Sequence, residues 1–115
     1  LVETEGVKIY HAGDLHLWYW DEDSQEERDL MYKNYINEIK KLQNTNIDVA
    51  FLVLDSRQSE KDALLGIELF NDMTNTKLIF PMHYSNDEDL MEKRLEKLKS
   101  KNNIVNTRRY KVYEV

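Results

Sequence analysis

Asp48-Val49-Ala50-Phe51-Leu52-Val53-Leu54 is a continuous apolar run bounded by one aspartate at its start and another, Asp55, just past its end. A run of this length without polar alternation predicts a strand covered on both faces, as in a parallel sheet. Two more strands flank it in sequence. Val7 to His11 comes before it and Lys77 to Met82 after it. Between the strands the apolar period changes to that of helices. Gln25 to Leu42 reads as a helix opened by a capping box, Ser24 with Glu27 three residues on, and its buried stripe is Tyr32, Tyr35, Ile39 and Leu42. Lys61 to Met73 reads as a second helix with Leu64, Ile67 and Phe70 inward. Asp87 to Lys99 reads as a third, with Met91, Leu95 and Leu98 inward. Tyr110 to Val115 closes the chain as a strand, paired with a short one near Ile104. The resulting order is β-α-β-α-β-α-β, an α/β fold in one domain over residues 1–115. Helical crossovers of this kind imply mostly parallel strands with right-handed connections.

Composition narrows the function. The 115 residues suffice for one small domain with its own core. Three glycines and one proline leave little room for an all-β design rich in tight turns. A net charge of −6 argues against nucleic acid as the main partner. The acidic cluster Asp21, Glu22, Asp23, Glu26, Glu27 and Asp29 fits a solvated helix start, where carboxylates meet the positive end of the helix dipole. With no cysteine, thiolate metal sites and thiol catalysis are excluded. No apolar run approaches the ~20 residues of a membrane span, and no signal peptide is visible. Cytoplasmic residence is the matching expectation.

In open α/β sheets ligands bind beyond the carboxyl ends of the strands. Asp14, Asp55 and His83 each follow directly after one of the three buried strands. Asp14 comes after Gly13, which permits a tight turn, and its carboxylate can bind one metal or bridge two. It can equally cap its loop through backbone N–H groups. His83 offers an imidazole, a ligand for zinc and other first-row metals, or a half-buried ring bonded to a backbone carbonyl. His11 and His16 read as structural residues or supports of a neighbouring ligand. Asp55 can orient a ligating histidine or a substrate, and Arg57 can pair with Asp55 or with an anionic substrate. Trp18, Tyr19 and Trp20 supply surfaces that wall a pocket or plug the space between loop and helix. No phosphate-cradling glycine-rich loop and no Gly-x-Ser-x-Gly elbow is present.

His11-Ala12-Gly13-Asp14-Leu15, Asp48-Val49-Ala50-Phe51 leading to Asp55-Ser56-Arg57, and Phe80-Pro81-Met82-His83-Tyr84 together resemble the C-terminal half of a metallo-β-lactamase-fold hydrolase, closest to its bacterial lactonase-like branch. The resemblance covers nearly the whole chain. It implies one half of a four-layer αββα sandwich whose active site, at the seam of two halves, holds two divalent ions, usually zinc and sometimes manganese or iron. It implies Asp14 as the catalytic bridging carboxylate and His83 as a ligand of the second metal. The family reaction is attack of a metal-bound hydroxide on an ester, lactone, amide, thioester or phosphodiester. The family's His-x-His-x-Asp-His motif belongs to the N-terminal half and has no match here. The expectation is therefore a small-molecule hydrolase half, inactive alone, whose apolar inner sheet face meets the missing N-terminal half or a second copy.

Two other readings remain open at this point. Asp14-Leu15-His16 resembles the opening of calcineurin-like metallophosphoesterases, although their later Gly-Asp-x-x-Asp and Gly-Asn-His-Glu motifs are missing. A non-catalytic receiver-like interaction domain would use Asp14 and Asp55 as an acidic pocket, with His83 where receivers carry a lysine.

Overall fold

The computed structural model describes residues 1–82, 88–97 and 103–105. Its elements are β1 (Val2–Thr4), β2 (Val7–His11), α1 (Gln25–Lys40), β3 (Asn46–Val53), α2 (Glu60–Met73), β4 (Asn75–Met82) and α3 (Glu88–Glu96). They build a small mixed α/β domain around one sheet, ordered β1-β2-β3-β4. β2, β3 and β4 run parallel, with Ile9 opposite Val49 and Val49 opposite Leu78. A parallel bridge from Ile79 to Ile104 continues beyond β4.

β1 is an addition to the expected order. It pairs antiparallel with β2 through a two-residue turn in which Glu5 and Gly6 have φ of 50° and 80°. Positive φ at both central residues is the hairpin turn whose twist matches that of the strands, and glycine takes it without strain. All three β1 residues are exposed, so no apolar alternation marks the strand in sequence.

The capping box forms as expected. Glu27 N donates to Ser24 Oγ at 3.1 Å and Ser24 N to Glu27 Oε1 at 3.2 Å. α1 then buries Tyr35 and Ile39, but Tyr32 lies on the solvent side at 42% exposure. The stripe thus starts a turn later than expected, and Leu42 packs on the core from the turn after the helix. β3 and β4 each begin two residues before their expected starts, and α2 begins one residue early. The inward set Leu64, Ile67 and Phe70 is buried as expected. Leu95 of α3 is buried too, whereas Leu98 and the expected closing strand 110–115 lie outside the described residues.

Tyr35 and Ile39 of α1, Ala63, Leu64, Ile67 and Phe70 of α2, and Leu95 of α3 all pack into one cluster with Ala50, Leu52, Leu54 and Ile79. The helices therefore share one face of the sheet, as right-handed crossovers between strands added in sequential order require. Strand residues alternate between faces, so Val49, Phe51 and Val53 look the other way. His11, Phe51 and Phe80 form an aromatic row across that second face, with ring centroids 5.8 Å and 5.5 Å apart. Ile9, Phe51, Leu78, Phe80 and Met82 are half-buried there. The run is continuously apolar because both faces are apolar, although the described helices cover only one. No described helix is long and apolar enough to cross a membrane.

Candidate functional site

The carboxyl ends of β2, β3 and β4 lie side by side, and the loops after β2 and β3 carry the polar residues singled out from the sequence. β2 is prolonged by Ala12 N donating to Phe51 O at 3.0 Å. The chain then turns at Gly13, whose φ of +62° is a left-handed conformation that L side chains adopt only with strain. Leu15 N donates back to Ala12 O at 3.0 Å and closes the turn. Asp14 sits at the tip and is exposed. Its carbonyl accepts from Trp18 Nε1 at 2.9 Å, so the indole holds the turn from below. His11, also exposed, accepts the Gly13 N–H on its Nδ1 at 3.0 Å. It therefore braces the turn.

His16 points the opposite way. It is buried, and its Nε2 lies 2.8 Å from Gln58 Oε1. Gln58 spends both amide hydrogens on the carbonyls of Leu17 and Tyr19, each at 3.0 Å. Its oxygen must therefore face His16, and His16 must carry its proton on Nε2. That nitrogen is a donor and is not available to a metal. Gln58 was not singled out in the sequence, yet it is the residue that fastens the β2 loop to the β3 loop. Arg94 of α3, another buried residue missed by sequence reasoning, donates from Nη1 to Gln58 O at 2.9 Å. Gln58 Nε2 and Arg94 Nη1 both donate to backbone carbonyls, which side-chain spacing does not encode.

Asp55 and Arg57 form an ion pair, one of the arrangements open to them from the sequence. Asp55 is buried beyond the end of β3 and accepts Arg57 N at 2.8 Å and Arg57 Nε at 2.9 Å on one oxygen. Its other oxygen accepts Arg57 Nη2 at 2.7 Å. The hydrogen bonds from the guanidinium hold the Asp55 carboxyl below its ordinary range, against the opposing effect of burial. The carboxylate is 2% exposed and the Arg57 side chain 66% exposed. The guanidinium stands 6.0 Å from the Trp18 ring and 5.7 Å from the Trp20 ring. Those two indoles stack on each other at 5.8 Å with planes 17° apart. Trp20 is fixed in turn, because its carbonyl accepts Arg28 Nη2 at 2.8 Å. Arg28 also pairs with buried Asp62 of α2 at 3.3 Å and lies over the Tyr19 ring.

Asp14, Trp18, Asp55 and Arg57 thus belong to one connected edge, and His11 supports it. His16 belongs to the packing beneath it. His83 is the residue after the end of β4 and lies outside the described residues. Among the described residues no group of three or more histidine or carboxylate side chains is arranged to hold a metal ion. No family model, curated protein or solved structure matches the chain.

Proposed function

We propose that this chain contributes one half of the active site of a metal-dependent hydrolase, with Asp14 and His83 as metal ligands. The observation that carries this reading is the position of Asp14. It is an exposed carboxylate on a braced turn beyond β2, at the same edge where β4 ends at Met82, one residue before His83. Divalent ions bound there would lower the pKa of water and polarise the scissile group of an ester, lactone, amide or phosphodiester. The chain's own part is to hold Asp14 forward, through the Trp18 and His11 hydrogen bonds, while Gln58 locks the loop behind it. Zinc sites take three or four protein ligands, so Asp14 and His83 need a complement. The apolar second face of the sheet, with its His11-Phe51-Phe80 row, supports a complementing half or second copy packed against it.

The metallophosphoesterase alternative requires His16 as a ligand beside Asp14, and the buried His16–Gln58 contact disfavours it. A receiver-like role requires an accessible Asp55, whereas Arg57 engages both its oxygens. Receivers also place helices on both faces of the sheet, through an order in which the first strand lies inside.

Manganese titration of the isotope-labelled chain, followed by NMR, tests the reading. Amide signals of Asp14 and of residues 82–84 should broaden together at low manganese, while Asp48, at the opposite end of β3, stays sharp. Broadening of Asp14 and Asp48 at the same manganese concentration would remove the basis for a shared site.

A further inference from the structure

We infer that Arg57, with Trp18 and Trp20, forms an anion-anchoring shelf that receives a small molecule bearing a phosphate or carboxylate at one end and a flat or apolar body at the other. The ion pair is lopsided. The carboxylate of Asp55 is buried and the guanidinium of Arg57 is largely exposed, so the pair presents its positive end to solvent. Asp55 uses Nε and one hydrogen of Nη2. Among the described residues no other partner takes the hydrogens of Nη1 or the second of Nη2, which stand in the fork geometry that suits two oxygens of an oxyanion. The fork is also preorganised. Asp55 fixes it from one side and the two indoles from another, so little side-chain freedom is lost when a ligand binds. The half-buried indoles supply the flat surface on which a ring or apolar chain packs. Trp18 joins the shelf directly to the Asp14 turn through its Nε1 hydrogen bond. A ligand anchored at Arg57 thus lies along the same edge as the candidate metal ligand.

Calling that ligand a substrate rests on the hydrolase reading, but the shelf can be tested without metal. The chain contains two tryptophans, Trp18 and Trp20, so its indole fluorescence reports on this place alone. In buffer with chelator the chain is titrated with phenyl phosphate, with benzoate and with benzyl alcohol as the neutral counterpart. Saturable fluorescence changes are expected for at least one of the two anions, with benzyl alcohol about tenfold weaker or worse. Which anion binds tighter names the preferred head group. Arg57→Gln should weaken anion binding by about tenfold or more and leave benzyl alcohol unchanged. That variant strips Asp55 of its partner, so the pair Asp55→Asn with Arg57→Gln, which leaves no lone buried charge, is titrated beside it and should show the same loss. Arg57→Lys should recover part of it. Equal affinity for anion and alcohol, undiminished anion binding in both Gln variants, or no saturation with any probe would each overturn the shelf. None of these results bears on Asp14 and manganese, so the two proposals fail separately.

Discussion

Replacing Gly66 by alanine probes how tightly the loop beneath Asp14 is packed. Gly66 lies in the middle of α2, and a Cβ built on it falls 2.9 Å from both Cε1 and Nδ1 of His16 and 3.4 Å from Leu17 Cβ. The imidazole has nowhere to retreat. It is buried, bound to Gln58, and set edge-on against Trp18 at 4.9 Å between centroids. In an unobstructed helix interior, alanine is favoured over glycine by about 1 kcal/mol. Overpacking a rigid site costs about 1–3 kcal/mol. The substitution alone should therefore change stability by about 0–2 kcal/mol in the destabilising direction. In a His16→Ala background the obstruction is gone, and Gly66→Ala should stabilise by about 1 kcal/mol. The coupling between the two sites is then about 1–3 kcal/mol, well above the error of a double-mutant cycle. Urea unfolding of the four proteins, followed by far-UV circular dichroism, gives the numbers. If Gly66→Ala stabilises equally in both backgrounds, His16 is not where this account puts it.

Other expectations follow from the same contacts. Asp55 has a lowered native pKa, so its contribution is complete above the ordinary carboxylate range of about pH 4. As pH falls the unfolded carboxyl takes up its proton first, and the contribution disappears once the lowered native pKa is passed. Asp55→Asn should accordingly flatten the acid limb of a plot of urea midpoint against pH, and an unchanged limb would mean that the ion pair does not form in solution. Tyr35, buried in α1, donates its hydroxyl to Gly66 O at 2.9 Å, and burial raises its pKa. Tyr35→Phe should cost about 0.5–1.5 kcal/mol in urea unfolding, and ultraviolet titration should show one alkaline phenol disappear with it. Ser24→Ala should cost about 1 kcal/mol by loss of the cap on α1, with no effect on the manganese response of Asp14.

The parts of the fold legible in the sequence are those with a strong local cause. The apolar run at Val49–Val53, the capping box at Ser24 and the helical period of Leu64, Ile67 and Phe70 each sit where expected. β1 was not legible, since a hairpin strand exposed on both sides carries no pattern, and only Gly6 hinted at the turn. The sequential strand order was not legible either, because it is a property of long-range pairing. At the site, Asp55 and Arg57 were readable because two residues of separation suffice for an Asp side chain to reach a following backbone N–H. Gln58, Arg94 and Asp62 were not, because burial of a polar residue depends on partners more than thirty residues away.

Asp14 and His83 are proposed above as two ligands of a metal centre that this chain holds only in part. The decisive experiment is native mass spectrometry after zinc loading, applied to the chain alone and to protein in which a complementing half is present. The expected result is no tightly held zinc on the chain alone, about two ions in the complemented protein, and their loss in both Asp14→Ala and His83→Ala. Stoichiometric zinc on the 115-residue chain by itself, undiminished by Asp14→Ala, would rule out a divided centre with Asp14 as a ligand.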